Sequence, residues 1–288
     1  MRLSKLYRSQ KPDISVELFP PKTKEGTDKI FEEVKILNQF HPTFFSMTYG
    51  AGGSTRDLTL ELVDELKNKI GVETMCHLTV VSQSKADVRN VLNFLKEKGV
   101  YNLIALRGDP PQGTEKFQPH PNGFRHAVDL VREAKRDNFF SVAVAGFPEK
   151  HPDAPTLESD IQHLKEKVDA GADAVITQLF FDNRFYYGYL DKVRRAGVQV
   201  PVIPGILPIL STQQVKRFTA LCRSQIPPAV GRMLAKYEND SEAATQYGIE
   251  LATQQCQDLI KQGVPGIHFY CLNRSRSVKT ILSNLNQK

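Results

Sequence analysis

The chain has only four cysteines among its 288 residues, and no two of them form a CxxC pair. Cys76, Cys222, Cys256 and Cys271 lie far apart in the sequence. This argues against a zinc ribbon or a disulfide framework and points to a reducing compartment. No uninterrupted apolar run approaches the length of a membrane helix. The polar, basic stretch from Met1 to Pro12 lacks the apolar core of a signal peptide. A cytoplasmic protein is the expectation. The seven histidines show neither HxH nor HExxH spacing, so no metal site is expected. The dinucleotide and P-loop glycine patterns and the GxSxG elbow are also missing. No run of five or more like charges occurs, and the net charge of +6 is spread along the chain. That pattern reads as a solvated basic surface rather than a nucleic-acid footprint, and it suits a polyanionic small molecule.

Hydrophobic residues make up 40% of the chain and charged residues 24%, enough for a sizeable core in an ordinary globular protein. Alternation and helical spacing divide it into strand–helix units. Strands are expected at 14–19, 43–49, 73–80, 101–107, 140–146, 174–180, 202–207 and 266–272. Helices are expected at 25–39, 54–70, 84–98, 123–136, 156–170, 184–195, 212–222 and 275–285, with two more at 228–237 and 242–262. Eight parallel strands joined by helical crossovers predict a closed (β/α)8 TIM barrel. The extra helices fall before the eighth strand. One domain spanning 1–288 is expected, with no low-complexity segment and no linker.

Such a barrel carries its chemistry at the C-terminal ends of its strands, and the polar residues collect there. Glu17 lies in the first strand, Ile14-Ser-Val-Glu-Leu-Phe-Pro-Pro21, on one face with Ser15 and Phe19. Val16 and Leu18 lie on the other. A carboxylate in such a strand is either paired to a base or a functional acid. Thr48 and Tyr49 end the second strand, and His77 and Thr79 the third. Arg107-Gly108-Asp109 follows the fourth, Gln178 lies late in the sixth, and Tyr270 and Arg274 flank the end of the eighth. Several of these have two readings. Asp109 is a turn residue before Pro110-Pro111 or part of a site. His77 is a core histidine or a site residue. Gln178 is a structural amide or a substrate clamp. The turn Gly50-Ala-Gly-Gly53 reads as a strand-to-helix connection capped by Ser54 or Thr55.

Together these stretches resemble the bacterial, single-domain type of 5,10-methylenetetrahydrofolate reductase. The likeness runs through Val16-Glu-Leu-Phe-Pro-Pro-Lys-Thr23, Ser46-Met-Thr-Tyr-Gly-Ala51, His77-Leu-Thr79, Ala105-Leu-Arg-Gly-Asp-Pro-Pro111 and His151-Pro-Asp-Ala154. It continues in Lys167-Val-Asp-Ala-Gly-Ala172, Ile176-Thr-Gln-Leu-Phe-Phe-Asp182, Pro204-Gly-Ile-Leu-Pro208 and His268-Phe-Tyr-Cys-Leu-Asn-Arg274. The resemblance implies a TIM barrel that binds FAD. NADH or NADPH reduces the flavin, which then reduces 5,10-methylenetetrahydrofolate to 5-methyltetrahydrofolate by ping-pong hydride transfer, supplying methyl groups for methionine synthesis. It further implies Glu17 as general acid and Asp109 as the carboxylate beside the flavin. Thr48, His77, Leu106, Arg107, Gly108, Asp109, Ala145, His151, Asp160 and Lys167 become cofactor contacts. Glu17, Thr48, Gln178, Gln214, Phe218 and Arg274 become substrate contacts. Phe147 stands where some members have a tyrosine. A homo-oligomer is expected, with no metal, nucleic-acid or membrane partner. A regulatory domain binding S-adenosylmethionine, found in longer eukaryotic members, is not expected. Two rival readings are another FAD barrel oxidoreductase of the proline dehydrogenase kind and a flavin- or folate-binding subunit that takes electrons from a partner protein.

Overall fold

The computed structural model describes residues 2–3, 6–7, 11–21, 23–49, 55–110, 113 and 117–286. The glycine turn at 50–53 and Ser54 lie outside them. Among the described residues nine strands form one parallel sheet in the order β7-β6-β5-β4-β3-β2-β1-β9-β8. They are β1 (Asp13–Leu18), β2 (Phe44–Met47), β3 (Thr74–Thr79), β4 (Asn102–Leu106), β5 (Ser141–Gly146), β6 (Ala174–Thr177), β7 (Val202–Ile203), β8 (Gly205–Ile206) and β9 (Gly266–Tyr270). The expected seventh strand is therefore two short strands. Pro204 between them has no N–H to give to a ladder. β7 pairs with β6 and β8 with β9, so this single segment closes the barrel.

The helices are α1 (Lys24–Asn38), α2 (Arg56–Asp64) with a π-helical continuation Glu65–Ile70, α3 (Lys85–Glu97), α4 (Ala127–Ala134), α5 (Leu157–Asp169) and α6 (Asn183–Arg195). They continue with α7 (Thr212–Cys222), α8 (Pro228–Lys236), α9 (Ser241–Lys261) and α10 (Ser275–Asn286). The starts follow local chemistry. Ser84 and Asp87 form a reciprocal capping box on α3, and Thr23, Thr156, Asp182, Ser211 and Asp240 accept from first-turn amides. Between helices and sheet, Val16, Leu18, Leu78, Val142, Val144 and Val175 are fully buried in the main core.

A second core fills the barrel itself. Phe44, Met75, Ile104, Ala143, Ala174, Ile176 and Ile203 point inward, and Leu3 and Leu6 join them from outside the sheet. The N-terminal segment thus plugs the lower end of the barrel, and the Leu3 amide donates to Asn102 Oδ1 at 2.9 Å. Composition showed this segment only as polar and basic. Its two leucines are too few to make a periodic signal, and they are buried by the hole they fill.

Candidate active site

Above that apolar plug the inner face turns polar. The inward column of β1 is Asp13, Ser15 and Glu17, and that of β9 is Gly266, His268 and Tyr270. In the ladder Ser15 sits beside His268, and Glu17 beside Tyr270. Glu17 is 7% exposed, His77 6% and His268 1%. Glu17 Oε2 lies 3.4 Å from His77 Nε2 and 3.6 Å from His268 Nε2. On the far side of the second ring, His268 Nδ1 is 2.8 Å from Ser15 Oγ. The carboxyl is thus buried between two imidazoles, and among the described residues no lysine or arginine is paired to it. Burial drives the His77 pKa down to about 4, against the opposing pull of Glu17. The His77 ring is neutral at pH 7.

This has a stability consequence. The His77 pKa falls from 6.5 in a free side chain to about 4 in the folded protein. Below pH 6.5 the unfolded chain takes up a proton that the folded chain refuses until about pH 4, so stability is lost as pH falls through that window. The loss reaches at most about 3 kcal/mol. Denaturant unfolding between pH 7 and pH 4 should show a weaker pH dependence in His77→Gln. An unchanged slope would show that His77 is not buried in neutral form.

Five buried polar atoms with no hydrogen-bond partner among the described residues lie on β2, on β3 and in the stretches after β4 and β5. They are Ser46 Oγ, His77 Nε2, Thr79 Oγ1, Arg107 Nε and Glu149 Oε1. Orphans of this kind each cost about 1–3 kcal/mol unless a ligand satisfies them. Beside them Gly108 turns the chain at φ +87°. A Cβ there would stand 2.6 Å from Val81 Cγ1 and 2.9 Å from Thr79 Cβ, so the Arg107–Asp109 backbone lies tight against β3. Arg107 reaches Asp153 at 2.8 Å and covers the Phe117 ring. Lys167 Nζ donates to the Ala145 carbonyl at 2.9 Å, and burial lowers its pKa to about 8 despite Asp160. The His151 amide donates to Asp160 Oδ2, and burial with Arg107 nearby lowers the pKa of its ring. A guanidinium, a lysine and an imidazole therefore share the β4–β5 side of the mouth, a donor set suited to a dinucleotide's phosphates.

The opposite side is apolar. Leu179, Phe181, Leu207 and Ile209 pack with α7 and α8, and Phe218 joins them partly buried. Gln178 follows β6, its side-chain oxygen accepting from the Leu179 amide at 2.9 Å. Cys222 lies one turn beyond Phe218, and burial with the Asp109 carboxylate nearby pushes its thiol to about 11. Asp109 itself is exposed, after β4. Gln214 lies in the first turn of α7. Its amide accepts from the Leu210 N–H at 2.6 Å and donates to the Pro208 carbonyl, fastening the start of its own helix. Arg274 is exposed at the rim and Thr48 half-buried after β2.

Sequence reasoning missed Ser15 and His268 as site residues. Their signal was the alternation that carries Glu17 and Tyr270 inward, two residues along each strand. Among the described residues no helix is long and apolar enough to cross a membrane.

The family model for methylenetetrahydrofolate reductase matches residues 2–286. The chain is 41% identical over 94% of its length to methylenetetrahydrofolate reductase (NADH) 1 of Zea mays, of which it covers 48%. It thus spans about half the length of that relative. It is 35% identical to the 5,10-methylenetetrahydrofolate reductase of Salmonella typhimurium and 34% to that of Escherichia coli. Each match covers 95% of this chain and 90% of the relative. A Clostridium thermocellum protein described as binding two copies of 5-methyl-5,6,7,8-tetrahydrofolic acid shares the fold. Its TM-score is 0.67 at 14% identity, covering 96% of this chain and 94% of that one. On the family match and the two bacterial relatives, the chain belongs to the methylenetetrahydrofolate reductase family.

Proposed function

We propose that this chain binds FAD across the ends of β3 to β5 and reduces 5,10-methylenetetrahydrofolate to 5-methyltetrahydrofolate, with NADH or NADPH as reductant. The observation that carries the reading is Glu17, a carboxyl buried on the inner barrel wall between two imidazoles. It is joined by the five orphaned polar atoms of the mouth and by family membership. Arg107, His151 and Lys167 would hold the diphosphate, with Gly108 giving close backbone approach and His77, Leu106, Ala145, Asp160 and Thr48 completing the cofactor wall. When bound, the flavin stores two electrons and exchanges hydride, so the two substrates take turns.

The chain's own residues handle the proton and the charge. Glu17 donates to N10 as the folate five-membered ring opens to a 5-iminium cation. The Asp109 carboxylate at the rim stabilises that cation. Gln178 reads the pterin edge, Gln214 and Arg274 contact the folate, and Phe218 packs on folate or nicotinamide. The 5-methyltetrahydrofolate formed would serve methionine synthesis, and the working form would be a homo-oligomer.

The test is product analysis. Purified protein supplied with FAD, reduced nicotinamide and 5,10-methylenetetrahydrofolate without air should form 5-methyltetrahydrofolate and oxidised nicotinamide in equal amounts; no methyl product would overturn the proposal. Asp109→Asn should slow folate reduction about 10-fold through loss of charge stabilisation. It should also raise the flavin potential, because a negative charge next to the reduced cofactor is gone. Spectroelectrochemistry and single-turnover rates check both effects, and no change in either would remove Asp109 from this role.

A further inference from the structure

Just past β9, Leu272 stands at φ +53° and Asn273 at φ +56°. They are the one adjacent pair of left-handed non-glycine residues among the described residues. Asparagine tolerates this conformation, whereas leucine adopts it only where its surroundings over-determine it. Here they do. Leu272 packs, half-buried, with the apolar wall that holds Phe218. The Arg274 amide closes the turn on the Cys271 carbonyl at 3.0 Å, and the Ser275 amide at the start of α10 donates to Glu33 Oε2 at 2.6 Å. Asn273 reaches back to the end of β1. Its Oδ1 accepts from the Phe19 amide at 2.8 Å, and its Nδ2 donates to the Phe19 carbonyl at 2.7 Å. The ladder between β1 and β9 runs as far as Glu17 beside Tyr270. Beyond it Cys271 Sγ donates to the Glu17 carbonyl at 3.1 Å, and the Asn273 amide then takes both polar groups of Phe19. No clamp is needed to end this strand, because Pro20 and Pro21 already do so.

We propose that Asn273 is a positioning residue that locks the end of the Glu17 strand to the turn carrying Arg274. Phe19 lies two residues after Glu17, and Arg274 directly follows Asn273. One side-chain amide therefore joins the segment of the buried acid to the segment of the exposed rim guanidinium, and the two keep a fixed spacing. Without that amide the turn is free to shift against β1. A ligand held by Arg274 then loses its register against Glu17, while chemistry that uses neither group is untouched. Only this kinetic consequence rests on the proposed folate reaction; the clamp itself does not.

The test compares Asn273→Gly with Asn273→Ala. Glycine adopts the left-handed conformation freely but has no amide, so it keeps the turn and removes the clamp. Hydrogen exchange of the Phe19 amide reads the clamp directly. It should be slow in the wild type and about tenfold faster in Asn273→Gly, the weight of one net hydrogen bond. In the same variant the single-turnover rate of folate reduction and the affinity for 5,10-methylenetetrahydrofolate should each fall about tenfold. Flavin reduction by nicotinamide should stay within about twofold. The lost affinity should not add to that lost in Arg274→Ala. Asn273→Ala should melt below Asn273→Gly, since alanine strains the turn, yet show the same split between half-reactions. A wild-type Phe19 amide that exchanges at the unprotected rate would overturn the proposal, and this result needs no variant to fold. So would wild-type folate kinetics in Asn273→Gly, which would reduce Asn273 to a turn residue, or an equal loss in both half-reactions. If the Phe19 amide responds as expected but the wild-type protein reduces no folate, the clamp stands and the proposed reaction falls.

Discussion

Glu17→Gln is expected to lower folate reduction about 10³-fold, the weight of a lost general acid, while flavin content and flavin reduction by nicotinamide stay within about twofold. Glutamine keeps the volume and can still face His77 and His268, so the barrel wall is not disturbed. What it lacks is a proton that leaves on demand. The nicotinamide half-reaction moves hydride with no ring to open, so it has no call on that proton. The surroundings sharpen the expectation. His77 is neutral because burial lowers its pKa to about 4, so it cannot replace the missing acid. Rapid-mixing measurements of the two half-reactions separate the outcomes, and an equal loss in both would show that Glu17 shapes the site rather than supplying a proton.

Gly205→Ala is expected to cost about 3 kcal/mol or more, as forced overpacking of a core does, and so to lower the melting temperature by roughly 6–12 °C for a chain of this size. Gly205 opens β8 next to the Pro204 break. A Cβ there would stand 2.3 Å from the Thr177 carbonyl oxygen and 2.7 Å from the Tyr270 ring. Backbone cannot retreat as a flexible side chain does, and Tyr270 is held by its own hydroxyl, which donates to that same Thr177 carbonyl at 2.6 Å. The Gly205 amide in turn donates to Thr177 Oγ1 at 3.0 Å. One methyl group therefore strains the barrel seam and the side chain beside Glu17 together. Calorimetry of the substituted protein checks the stability, and an unchanged melting temperature would mean the seam has slack that these distances deny.

The same seam shows what could be read from the chain and what could not. Strand alternation placed Glu17 inward, and the sequence of strand–helix units predicted a barrel, because both follow from local periodicity. The break at Pro204 was also local, yet Val202–Leu207 reads as one strand when only hydrophobicity is counted. The marker Pro204-Gly205-Ile206-Leu207-Pro208 gains a physical meaning only from the Thr177 carbonyl, distant in sequence. His268 was passed over because a histidine in an apolar strand has many unremarkable explanations. Its importance comes from Ser15 and Glu17, some 250 residues away. The plug formed by Leu3, Leu6 and Tyr7 has no periodicity to detect at all, being shaped by the hole it fills. Gln214 is expected among the substrate contacts by resemblance alone, and its amide also secures the turn into α7. The glycine turn at 50–53 falls outside the described residues.

In the proposed reaction this barrel passes reducing equivalents from nicotinamide to a folate through a flavin held at its mouth. An anaerobic absorbance titration of the purified protein tests it most directly. The protein should be yellow with a flavin spectrum, bleach on addition of NADH or NADPH, and recover its colour when 5,10-methylenetetrahydrofolate is added. A protein that binds no flavin when FAD is supplied, or one whose bleached flavin is not reoxidised by that folate, would overturn the proposed function.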